Sequence, residues 1–67
     1  MESQYTSMLR IGDVCRRTGL SKSQIHRMVL DAAFPRPVKL SRRATGWVDH
    51  EVDAWLQARI SSARTAV

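Results

Sequence analysis

The residues best suited to chemistry form a cationic, hydrogen-bonding stripe: Lys22, Ser23, Gln24, His26 and Arg27. Their side chains suit recognition rather than catalysis. Arg27 can pair bidentately with guanine, and Gln24 with adenine. Lys22 and Ser23 can reach phosphate or base, and His26 can donate to a phosphate or stack. A second basic cluster, Arg42 and Arg43, suits phosphates or a minor groove, with Lys39 just before it. Arg16 and Arg17 form a third pair, able to touch a nucleic-acid backbone. If Lys22, Arg27, Lys39, Arg42, Arg43 and one further cation each neutralise a phosphate, log K falls with log salt at a slope of about −5. The acidic residues Asp13, Asp31, Asp49, Glu51 and Asp53 lie near helix starts and ends, where capping and dipole effects account for them. No nucleophile sits beside a base and no glycine-rich phosphate loop is present, so the pattern is not that of an enzyme. His26, His50 and the single cysteine, Cys15, make no metal-ligand spacing, and no cofactor is expected.

These side chains need a frame. Ser21 is an N-cap, and Gln24 three residues later completes a capping box. Ile25, Met28 and Val29 then recur at helical spacing, which predicts an amphipathic helix running from Ser21 to about Ala33. Leu30 is apolar on a face otherwise expected to be polar. Before this helix, Gly12-Asp13 opens another that runs through Val14-Cys15-Arg16-Arg17-Thr18 and stops at Gly19, a residue free to take positive φ. A small residue at Cys15, a glycine four positions on, and apolar residues at Ile25 and Met28 are what a tight helix–turn–helix requires. Phe34-Pro35-Arg36-Pro37 ends the second helix. Val38-Lys39-Leu40 and Thr45-Gly46-Trp47-Val48 alternate as two strands joined by Ser41-Arg42-Arg43-Ala44, a hairpin with a cationic tip. Asp49 and Glu51 open a last helix carrying Val52, Trp55, Leu56 and Ile60, with a frayed tail from Ser61.

The order is strand, helix, turn, helix, hairpin, helix. It is mainly α with a small β-hairpin, a winged helix-turn-helix DNA-binding domain. We expect residues 1–7 to form a flexible arm, 8–62 the domain and 63–67 a flexible tail. The core would draw on Leu9, Ile11, Val14, Leu20, Ile25, Met28, Val29, Phe34, Val38, Leu40, Trp47, Val52, Trp55, Leu56 and Ile60. With 67 residues the chain is one small domain. Its formal charge of +5 points to a polyanionic partner, double-stranded DNA before a membrane surface. One cysteine makes no internal disulfide, and the absence of a long apolar run or a signal-like start predicts a cytoplasmic protein.

Leu9-Arg10-Ile11, the stretch Thr18 through Arg27, Phe34 through Leu40, Gly46-Trp47 and Glu51 through Leu56 together resemble the AlpA family. These are small prophage regulators related to phage excisionases and to the MerR-type winged helix. The resemblance spans residues 9–60. It implies a protein that promotes excision of an integrated element or regulates its integrase gene, with a recognition helix at 21–31 and a wing at 39–45. It also implies partners besides DNA: further copies of the chain on adjacent sites, or an integrase. His26 stands where tyrosine is common in the family, and Ser41 where glycine is frequent. No long dimerising helix follows Ile60, so a coiled-coil dimer is not expected. The alternative, from a different class, is a protein-interaction module docking a partner through Leu30 and the last helix.

Overall fold

A computed structural model describes residues 7–65. The elements are β1 (Met8–Leu9), α1 (Ile11–Thr18), α2 (Lys22–Leu30), β2 (Val38–Ser41), β3 (Ala44–Val48) and α3 (Asp49–Thr65). The strands form one antiparallel sheet in the order β1-β3-β2. The helix–turn–helix, hairpin and closing helix match the winged-helix expectation. The expected arm over residues 1–7 lies, except for Ser7, outside the described residues, as do residues 66–67 of the expected tail. The Ser7 carbonyl accepts the Asp49 amide at 2.9 Å, which ties the start of β1 to the start of α3.

α1 begins at Ile11, earlier than the Gly12-Asp13 start predicted. Asp13 is the third residue of the first turn rather than its cap, and its Oδ2 accepts the Arg10 amide at 3.2 Å. One otherwise orphaned donor is thereby satisfied. Gly19 ends α1 with φ 77°, and its amide donates to the Cys15 carbonyl at 2.8 Å. Thr18 braces the turn: its hydroxyl donates to the Val14 carbonyl at 2.8 Å and accepts the Leu20 amide at 3.2 Å. The capping box of α2 is complete. Ser21 donates its amide to Gln24 Oε1 at 2.8 Å, and Gln24 donates its amide to Ser21 Oγ at 3.1 Å.

α2 stops at Leu30 instead of reaching Ala33. Ala32 takes φ 58°, its amide donates to the Val29 carbonyl at 3.1 Å, and the Ala33 amide donates to the Met28 carbonyl at 2.7 Å. This paired closure is the Schellman arrangement, built here on alanine where glycine is usual. The chain that follows is pinned by two indoles. Trp55 Nε1 donates to the Ala33 carbonyl at 2.8 Å, and Trp47 Nε1 to the Pro35 carbonyl at 2.9 Å. Between them Phe34 is buried, edge-on to Trp55 with ring centroids 4.7 Å apart.

Leu9, Val14, Ile25, Phe34, Trp47 and Val52 form the core, with Ile11, Cys15, Leu20, Met28, Val29 and Trp55 packed around it. Four residues assigned to the core from the sequence are not in it: Val38, Leu40 and Ile60 are 42%, 44% and 40% exposed, and Leu56 is half-buried outside the cluster. Val38 pairs with Gly46, and a Cβ on Gly46 would meet Leu40 Cδ1 at 3.0 Å and Met8 Cβ at 3.5 Å. These residues therefore share the sheet face opposite Trp47, because successive side chains alternate across a strand. Ile60 lies where α3 has left the body, since every residue from Gln57 to Arg64 is exposed. α3 also continues to Thr65, past the predicted fraying point at Ser61.

Candidate nucleic-acid interface

α2 buries Ile25 completely and half-buries Met28 and Val29. At about 100° per residue, Ser23, His26, Arg27 and Leu30 then lie on the opposite side. Lys22, Ser23, Gln24, His26 and Arg27 are all exposed. The capping box occupies Ser21 Oγ and turns Gln24 Oε1 back onto the Ser21 amide. Gln24 Nε2 is the amide atom that faces no such demand.

The hairpin stands beside α2. Ser41 pairs with Ala44, so Arg42 and Arg43 alone make the turn, and a bulge lies between Lys39 and Ser41. Neither arginine has positive φ. A two-residue turn of that kind splays its strands, and the extra residue of the bulge absorbs the mismatch in twist. Between the hairpin and the first turn of α2 is a cleft of about 350 Å³, lined by Arg10, Ile11, Lys22, His26, Pro37, Arg43, Thr45 and Trp47. It brings together three of the predicted residues, Lys22, His26 and Arg43. Lys39 is the cross-strand partner of Thr45 and so shares the cleft-side face of the hairpin. Arg42 is exposed at the tip, outside the cleft, and Arg27 lies further along α2.

Arg16 and Arg17 are placed differently. Arg16 pairs with Asp13 at 2.5 Å within α1, and Arg17 pairs with Asp53 of α3 at 2.6 Å. Both are exposed, but each has a carboxylate beside it. Asp13 is held below the ordinary carboxylate value, first by the Arg10 amide and then by the Arg16 guanidinium. The cleft, by contrast, has no carboxylate among the described residues of its lining. Its remaining cation, Arg10, was not singled out from the sequence. The available signal was its place as an exposed cation between the buried Leu9 and the half-buried Ile11, at the N-cap of α1. Among the described residues no group of histidine, cysteine and carboxylate side chains is arranged to hold a metal, and no helix is long and apolar enough to cross a membrane.

The family model described as "Prophage CP4-57 regulatory protein (AlpA)" matches residues 7–60. The chain belongs to the AlpA family. The match runs from the start of β1 to the part of α3 that has just left the body, so it contains the whole cleft. Among relatives of this chain, "Uncharacterized protein ORF88" of Enterobacteria phage P4 is 34% identical over 56 residues. That alignment takes in 84% of this chain and spans 64% of the phage protein's length. The "DNA-binding transcriptional activator AlpA" of Escherichia coli (strain K12) is 31% identical over 58 residues, 78% of this chain and 83% of that protein. No solved structure matches the chain.

Proposed function

We propose that this chain binds double-stranded DNA with sequence specificity, as an AlpA-type regulator that promotes excision of an integrated element, regulates transcription of its integrase, or both. The observation that carries the reading is the cleft, free of carboxylates among its described residues, in which Arg10, Lys22, His26 and Arg43 converge between two exposed arms. Such a cleft fits a sugar–phosphate strand, with one arm on each side of it. In this reading α2 enters the major groove. Arg27, Ser23 and Gln24 face base edges there, and Ser21, Lys22 and His26 line the approach of the strand. Arg42, Arg43 and Lys39 meet the backbone or the adjacent minor groove. Arg16 and Arg17 lie at the periphery, where phosphate must compete with Asp13 and Asp53 for them. Similarity to the E. coli DNA-binding transcriptional activator AlpA supports this reading. The working partners are DNA and, on adjacent sites, further copies of the chain or an integrase. The working location is the cytoplasm.

The test is a nuclease footprint on DNA flanking the gene, with gel shifts at two salt concentrations. Tandem protected sites beside an attachment site support the excision role, and one site at an integrase promoter supports the transcriptional role. Binding that survives Lys22→Ala combined with Arg27→Ala removes α2 as the reading element. Affinity that is indifferent to salt removes DNA as the ligand. The second reading, a docking module for a protein partner, draws on Leu30 at 87% exposure and on the uncovered end of α3. It requires a partner-binding defect in Leu30→Ala with DNA binding intact.

A further inference from the structure

Leu30 is the most exposed large apolar side chain among the described residues, at 87%. Its position on α2 is more informative than its exposure. Ser23, His26, Arg27 and Leu30 have the spacing i, i+3, i+4, i+7, which lines up one helix face. That face is opposite the fully buried Ile25. Helices lying in the major groove present their base-reading side chains at this spacing. A groove that receives Arg27 therefore receives Leu30 as well. Leu30 follows Arg27 by three residues, a rise of about 4.5 Å along the axis, or roughly one base-pair step beyond it. Asp31, the neighbouring carboxylate, is about 100° further round the helix than Leu30 and borders this face on the Arg27 side.

An apolar group on a groove-facing surface has one complementary feature among the bases, the C5-methyl of thymine. We infer that Leu30 is a specificity-determining residue that reads a thymine methyl within about two base pairs of the base contacted by Arg27. The inference rests on the proposal that α2 occupies the major groove. Leu30 makes no contribution to the core, so exchanging it leaves the fold intact. Alanine is also at least as good a helix former as leucine, which keeps α2 unperturbed.

The test is chemical. A random-sequence duplex pool is selected on the wild-type protein, and the selected site is resynthesised with deoxyuridine replacing thymine one position at a time. Deoxyuridine lacks only the methyl group. The expected result is a loss of about fourfold in wild-type affinity at one thymine, the worth of one buried methyl group. Leu30→Ala should bind the thymine and deoxyuridine sites equally, with an unchanged melting temperature. The Arg27→Ala protein should keep the methyl dependence while relaxing its preference at a neighbouring base pair. No penalty at any thymine, or the same penalty in wild type and Leu30→Ala, overturns the inference while leaving DNA binding by α2 in place. A Leu30→Ala defect confined to joint occupancy of two adjacent sites also overturns it, assigning Leu30 to a second copy of the chain. A selection that yields no preferred sequence removes the groove-reading proposal and this inference with it.

Discussion

Arg10 separates a DNA-binding cleft from a merely solvated one. Its backbone amide caps α1 through Asp13, while its side chain lines the cleft and has no ion-pair partner among the described residues. Arg10→Ala therefore keeps the cap and removes only the guanidinium. Arg10, Lys22, Arg27, Lys39, Arg42 and Arg43 are all exposed and free of carboxylate partners among the described residues. If each neutralises one phosphate, log K should fall against log salt with a slope of about −5, a loss of roughly a thousandfold between 50 and 200 mM. One phosphate contact contributes about 0.9 to that slope, which corresponds to about an eightfold affinity difference at 0.1 M salt. Fluorescence anisotropy with a labelled duplex at several salt concentrations measures both quantities. Arg10→Ala should flatten the slope by about 0.9 and weaken every sequence alike, specific or not, because phosphate contacts carry no sequence information. A slope equal to that of wild type, with the melting temperature unchanged, would refute the assignment of the cleft to the DNA backbone.

Asp53→Asn releases Arg17 from its carboxylate, so the salt slope in the same titration should steepen by up to about 0.9. Both partners are substantially exposed, so thermal denaturation should register a cost of only about 0–1 kcal/mol. Ala32→Gly should stabilise the fold by about 0.5–1 kcal/mol in urea unfolding, since glycine escapes the positive-φ penalty but loses more unfolded-state entropy. Asp13 titrates below its ordinary value of 3.8 in the folded chain, so its contribution is complete above that value and is lost as pH falls through the lowered one. Asp13→Asn should therefore be less stable than wild type at neutral pH and lose less stability on acidification, as followed by circular dichroism. Gly46→Ala places a Cβ 3.2 Å from the Leu9 carbonyl and 3.0 Å from Leu40 Cδ1, a crowding that should cost about 1–3 kcal/mol in the same urea experiment.

The parts of the fold governed by local rules were legible in the sequence. Gly19, the Ser21–Gln24 box and the Ile25, Met28, Val29 spacing each act within a few residues, and each does in the structure what its chemistry requires. The misplaced features depend on distant or unusual choices. Pro35 marks that α2 must end before it, but Ala32 and Ala33 are strong helix formers, so nothing local marks the end at Leu30. The indoles of Trp47 and Trp55 hold the chain beyond that end by donating to the carbonyls of Pro35 and Ala33. Val38 and Leu40 alternate as a strand should, but alternation does not say which face is covered. Trp47 occupies the inner face, and the two residues were left with Gly46 outside. The Arg16–Asp13 pair is one helical turn apart and could have been read from the sequence. The Arg17–Asp53 pair joins residues 36 positions apart and could not. Arg10 reaches the cleft only because a two-residue strand pairs Leu9 with Trp47.

That pairing shows how little separates binding from folding in a chain this small. Trp47 is 2% exposed, opposes Leu9 across the sheet, donates to the Pro35 carbonyl and also contributes to the cleft wall. Shortening it would lose core burial, a hydrogen bond and the wall at once, so a DNA-binding defect in such a variant could not be assigned to contact or to collapse. Trp55, which holds Ala33 and packs on Phe34, has the same ambiguity. The two indoles fix the link between α2 and the hairpin, and so set the width of the cleft from beneath it. The rim residues Arg10, Lys22 and Arg43 add charge to that cleft without entering the core. Variants at the rim therefore report on binding alone. Variants at the indoles disturb the core and the spacing of the two arms together, and reduced affinity accompanied by a lowered melting temperature is their expected signature.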